Sequence, residues 1–157
     1  MIRRLPLLAL ALSTPAFADE DDIIVTGTLL TQGRGDLAYD SITLDRDRLA
    51  GSASGRVEDA LRDVAGLQQF RRTDARSANA TSQGATLRGL GGNASSRALL
   101  VLDGVPQSDP FGGWVTWPAY DGQWLSSVRI TRGGGAGAYG PGALSGTIEM
   151  TSLAPKD

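Results

Sequence analysis

Val128-Arg129-Ile130-Thr131-Arg132, then Gly133 to Gly142, then Thr147-Ile148-Glu149-Met150-Thr151: the last third of the chain reads as strand, glycine loop, strand. The first segment alternates apolar and polar at every step, the period of a strand with one buried face. Six glycines and a proline in the ten residues between them leave no room for a helix. Working back along the chain, Thr86-Leu87-Arg88 and Ala98 to Leu102 read as strands around the loop Gly89 to Arg97, and Asp103-Gly104 signals a turn. Leu67 to Phe70 and Ser41-Ile42-Thr43-Leu44 read as two more short strands.

The clearest helix spans about Arg56 to Val64. Val57, Ala60, Leu61 and Val64 fall at i, i+3, i+4 and i+7 and make one apolar face. Ser54 is the expected N-cap, Glu58 and Asp59 sit where the helix dipole favours anions, and Gly66 occupies the left-handed position beyond the C-terminus. A second short helix is expected near Pro118 to Trp124. One or two helices among five or six short strands predict a small α+β domain.

The N-terminus reads differently. Met1-Ile2-Arg3-Arg4 is positive, Leu5 to Leu12 is apolar, and Ala16-Phe17-Ala18 offers a small-x-small cleavage site. These are the three parts of a secretory signal peptide, and the apolar run is shorter than the ~20 residues of a membrane span. Cleavage is expected after Ala18, which leaves 139 of the 157 residues, about one domain. Losing Arg3 and Arg4 moves the formal charge from −2 to −4, so the domain has no electrostatic reason to bind nucleic acid.

With no Cys and no His, the chain lacks thiolate nucleophiles, disulfides, imidazole metal ligands and His-assisted hydrolysis. No catalytic pair, metal site or cofactor is expected. Gly135-Ala136-Gly137-Ala138-Tyr139-Gly140 fits the dinucleotide pattern, but Pro141-Gly142 and a β-prone segment follow where a helix N-terminus is required. Those glycines are read as a tight loop. Phe111, Trp114, Trp117, Tyr120 and Trp124 place five of nine aromatics within fourteen positions. They either form a local apolar cluster or partly face a ligand.

The ordered motifs together resemble the plug of TonB-dependent outer-membrane receptors over about Asp22 to Thr151. Asp22-Ile23-Ile24-Val25-Thr26-Gly27 is similar to the TonB box, and Val57 to Leu67 to the family's helix and turn, with Ala65 where Pro is usual. Thr86 to Gly91 is similar to its Arg-Gly segment, and Leu99 to Pro106 to its strand ending in Asp-Gly-Val-Pro. Val128 to Gly133 followed by Tyr139 to Ile148 is similar to its closing signature, with Gly134 and Gly135 as a mild departure.

The resemblance implies a signal peptide over 1–18, a TonB box and flexible linker over 19–40, and a plug over 41–154. The plug is expected to be a small globular domain, a mixed four-stranded sheet with short helices and Gly-rich loops. It implies a gate inside a 22-stranded barrel, with TonB at the inner membrane as partner and active uptake of a nutrient such as a ferric siderophore. Asp22, Ile23, Ile24, Val25, Thr26 and Gly27 would bind TonB, since an extended β-prone segment can add a strand to a partner's sheet. An ordinary edge strand is the other reading. Arg88 and Arg132 would pair with barrel glutamates, against the alternative of pairing within the plug. Gly91, Asn93, Gln107, Phe111 and Trp114 would lie in loops that touch a small-molecule substrate. Twenty-two strands of ~10 residues need well over ~200 residues, so the expectation is one part of a receptor. Its place would be the outer membrane in the full receptor, or the periplasm if the chain is a stand-alone plug-like module that engages TonB.

Overall fold

The two strands of the closing stretch lie side by side in the sheet. The structure, a computed structural model, describes residues 39–71, 73–89, 93–135 and 139–154. β6 (Leu125–Arg132) and β7 (Gly146–Ser152) pair antiparallel, with Ile130 opposite Ile148 and Val128 opposite Met150. β1 (Asp40–Asp45) adds antiparallel to β6, and β4 (Ala98–Leu102) lies parallel to β7. β5 (Val105–Pro106) returns antiparallel along β4, giving the order β1-β6-β7-β4-β5. Gln68–Gln69 (β2) and Ala85–Thr86 (β3) form a separate two-stranded ribbon.

The sheet is mixed and the class α+β, as expected, but it has five strands instead of four. The addition is the two-residue β5. Asp103 (φ 48) and Gly104 (φ 84) both take left-handed backbone, the conformation that folds a two-residue hairpin with the twist of its strands. Pro106 then leaves the outer edge of β5 short of a donor, which keeps the added strand brief.

One face of the sheet carries Leu44, Val128, Ile130, Ile148, Met150 and Leu100, all in the main buried cluster. Complete burial of a side chain such as Ile130, Ile148 or Leu100 stabilises the fold by about 1.5–3 kcal/mol. The opposite face carries Leu99 and Val101, packed with Ala143 from the glycine-rich loop. This explains the unbroken apolar run in β4: the strand is buried on both faces. β7 is covered on both faces too, but there it presents Thr147 and Glu149 to the second layer. The Glu149 carboxylate accepts a hydrogen bond from the Tyr139 hydroxyl, which pins the far side of the loop to the strand.

The expected helix is shorter than its apolar face. α-Helical bonds cover Val57–Ala60 (α2), and beyond it the N–H groups of Arg62, Val64 and Leu67 reach back three residues instead of four. Val57, Ala60, Leu61 and Val64 are nevertheless all buried, so the periodicity located the packing face correctly. Arg56, not Ser54, is the N-cap; the Ser54 hydroxyl, two residues earlier, accepts from the Arg56 N–H at 3.2 Å. Gly66 is left-handed at φ +82, as its position beyond the helix predicted. A Cβ there would stand 2.6 Å from the Leu87 carbonyl oxygen, so the site excludes a side chain by contact as well as by φ.

Another helix, Arg46–Ala50 (α1), was not foreseen. Asp45 caps it by accepting from the Arg48 N–H at 2.9 Å, and Leu49 is its one buried residue. A single apolar position makes no periodicity to read. Near Pro118 to Trp124 the expected helix is replaced by two 3₁₀ turns, Trp117–Ala119 and Gly122–Trp124. Among the described residues no helix is long and apolar enough to cross a membrane.

Candidate functional site: the loop end of the sheet

Parallel strands β4 and β7 start at the same end of the sheet, where β6 finishes and β1 begins. The loops before β4, after β5 and before β7 therefore gather at that end. Two of them are tied directly. The Ser96 N–H donates to the Gly113 carbonyl at 2.7 Å, and the Ser95 hydroxyl donates to the Gly112 carbonyl at 2.7 Å.

The loop from 107 to 117 has a built interior. Asp109 Oδ1 accepts from the N–H groups of Phe111 (2.9 Å) and Gly112 (2.6 Å), and the Gly113 N–H closes onto the Asp109 carbonyl at 2.9 Å. Asp, then Pro at the next position and Gly two further on, is the sequence pattern of such a turn. Asp109-Pro110-Phe111-Gly112 thus carries a readable turn signal. Trp114 folds over Gly112, where a Cβ would stand 1.6 Å from the indole ring.

Among the substrate-loop candidates, Phe111 stands 97 % exposed at the tip and Trp114 is half-buried beside it. Asn93 is exposed on the neighbouring loop. Gln107 is held in place: its Nε2 donates to the Val105 carbonyl at 3.1 Å and its Oε1 accepts from the Tyr120 hydroxyl at 3.1 Å. Burial raises the Tyr120 phenol, which keeps it protonated as that donor. Gly91 and the segment Asp22, Ile23, Ile24, Val25, Thr26 and Gly27 lie outside the described residues. The aromatic cluster divides: Trp117 is buried and donates through Nε1 to the Gln83 carbonyl at 3.2 Å, whereas Phe111 and Trp124 (75 % exposed) face outward.

The two arginines have different surroundings. Arg88 is exposed, with no ion pair to another described residue. Arg132 meets Asp40 across the β1–β6 edge at 2.6 Å and donates through Nη1 to the Ala65 carbonyl at 3.0 Å. That arginine joins the first strand to the turn after α2.

A second charged group sits deeper. Arg56 faces three carboxylates, with Nη1 at 2.5 Å from Asp74, 3.7 Å from Glu58 and 3.9 Å from Asp59. Glu58 is only 5 % exposed, and burial pushes its carboxyl above the ordinary range. The Arg76 N–H, then Arg56, hold Asp74 below its ordinary value. No group of three His, Cys, Asp or Glu that could hold a metal occurs among the described residues.

The mixed sheet has short helices on one face, a glycine-rich strap on the other and loops gathered at one end, with no catalytic constellation among the described residues. Residues 35–147 match the TonB-dependent Receptor Plug Domain, and the chain belongs to that family. Among solved structures it resembles the unliganded ferric citrate transporter FecA at 23 % identity and a TM-score of 0.62, over 76 % of this chain and 18 % of that one. The ferric yersiniabactin uptake receptor FyuA of Yersinia pestis matches at 20 % identity and a TM-score of 0.55, over 76 % and 18 %. The siderophore receptor PirA of Acinetobacter baumannii matches at 16 % and 0.53, over 74 % and 18 %. At these identities the likeness is one of fold, and the chain spans under a fifth of each receptor's length. No curated protein matches the chain.

Proposed function

We propose that this chain is the gate and energy-coupling module of a TonB-dependent receptor, acting in uptake of a ferric chelate across the outer membrane. The observation that carries the reading is the gathering of the loops around Asn93 and Phe111 at one end of the sheet, opposite the end at which β7 leaves. A plug set in a barrel needs that polarity: one end to meet cargo and the other to join the barrel. Phe111, Trp114 and Asn93 form the face offered to the chelate, and Gln107 positions the loop that bears them. The activity is binding and gating, without catalysis.

Asp22 to Gly27 is the segment on which TonB would act. Its run Ile23-Ile24-Val25 can add a strand to a partner's sheet edge through main-chain bonds. Arg88, exposed and unpaired with any described residue, is the better placed of the two arginines to meet a barrel glutamate. Arg132 reaches such a partner only by sharing or leaving Asp40. The resemblance to a ferric citrate transporter and a ferric yersiniabactin receptor supports an iron chelate as cargo.

The test is binding of TonB's periplasmic domain to the exported chain, measured calorimetrically. Ile24→Pro or Val25→Pro removes a ladder donor and is expected to abolish binding. Binding that survives both changes overturns the assignment of the box.

A further inference from the structure

A small notch opens between α2, β2 and the turn that precedes β3. Glu58, Gln69, Thr73, Ala75, Gln83 and Trp117 are among its lining residues, and it offers about 10 Å³ to the centre of a water-sized sphere. One water requires roughly 10–15 Å³ on that measure. Gln83 is 6 % exposed, and its Nε2 donates to the Ala75 carbonyl at 3.1 Å, which fixes the amide with Oε1 as a free acceptor. That Oε1 and the Gln69 Nε2 are buried with no protein partner. The Glu58 carboxylate has only a long bond from the Ala75 N–H at 3.4 Å and the Arg56 contact at 3.7 Å.

Unpaired buried polar atoms are costly, so a notch lined by several of them favours a small polar occupant. The donor and acceptor count selects which one. Gln69 supplies a donor; Gln83 and Glu58 supply acceptors. A water has one lone pair for the first and two hydrogens for the others. A bare cation would face the Gln69 amide hydrogens, and an anion would face the Glu58 carboxylate.

We propose that this notch is a binding site for one ordered water, accepting from Gln69 Nε2 and donating to Gln83 Oε1 and the Glu58 carboxylate. The water joins three segments distant in sequence: α2, β2 and the turn at Gln83. It thereby fastens the stretch 73–83 to the helix beneath it. The assignment stands apart from the receptor reading, since it concerns only the domain's own interior.

The experiment is NMR on the full chain, recording rotating-frame cross-peaks between long-lived water and the Gln83 side-chain amide, with hydrogen exchange at the Ala75 amide. A cross-peak is expected in the native protein. Gln69→Met, near in volume and lacking the donor, is expected to remove it and to speed Ala75 exchange about tenfold. An absent cross-peak in the native chain, or one unchanged in the variant, overturns the site. If Gln69→Met fails to fold, the native measurement alone decides.

Discussion

Gly66→Ala and Gly104→Ala place the same methyl at two left-handed positions with different surroundings. Gly66 has φ +82 and Gly104 φ +84, so the backbone strain of a side chain is nearly equal at the two sites. That strain is about 1–2 kcal/mol. At Gly104 nothing lies within 4 Å of the added Cβ, and strain is the whole effect. At Gly66 the Cβ would stand 2.6 Å from the Leu87 carbonyl oxygen, which is backbone and must move. Forcing an atom into a packed site of this kind adds about 1–3 kcal/mol. Gly104→Ala is therefore expected to cost about 1–2 kcal/mol and Gly66→Ala about 2–5 kcal/mol.

Urea unfolding of the full chain followed by circular dichroism gives both values, and the difference between them isolates the contact. For a domain of this size each kcal/mol corresponds to roughly 4 °C in Tm. Since the Gly66 carbonyl also accepts from the Gly89 N–H at 3.1 Å, the shift at Gly66 should disturb the segment that carries Arg88. Amide shifts at Leu87 and Gly89 report that directly. Equal losses at the two glycines, within about 0.5 kcal/mol, would refute the close-approach argument and leave φ as the only reason for Gly66.

Three further outcomes are expected. Asp40→Asn removes an ion pair whose carboxylate is largely exposed and should cost under about 1 kcal/mol, whereas Arg132→Ala also removes the bond to the Ala65 carbonyl and should cost more; chemical denaturation ranks them. Because burial raises the folded Glu58 carboxyl above 4.5, the folded state holds that proton more tightly than the unfolded chain, so this group's contribution is fully present below pH 4.5 and lost as pH rises through the folded value. Glu58→Gln should flatten that decline in melts taken across the mildly acidic range, and an unchanged slope would assign the effect elsewhere. Phe111→Ala should leave stability within about 0.5 kcal/mol, since the ring touches little, while weakening chelate capture if the loop is a cargo face; a large drop in Tm would show instead that the ring packs.

The class and the motif order were legible because each rested on local rules. Alternation in Val128–Arg132 follows from strand geometry alone, and Asp103-Gly104 folds a hairpin through its own backbone preferences. The apolar face from Val57 to Val64 also survived, although the helical bonds did not extend as far. Helix length depends on whether the next turn finds its partners, and here Gly66 must meet Leu87 and Gly89 from another part of the chain. α1 has only one buried residue, Leu49, and the helix is held by its contacts with β6 and the turn at Gly122–Trp124, which no local pattern announces.

The site divides in the same way. Sequence by itself determined that no thiol or imidazole chemistry is available, that the plug-like motifs follow one another in order, and that Phe111 and its neighbours sit in a glycine-rich loop. Tertiary structure alone decided which aromatics face outward, that Ser95 and Ser96 tie one loop to the next, and that Arg132 pairs with Asp40 while Arg88 does not pair among the described residues. The physical reason is range. Periodicity, turn chemistry and composition act over a few residues, whereas side-chain exposure and charge pairing depend on which strands the sheet places side by side, across separations as long as the 92 positions from Asp40 to Arg132.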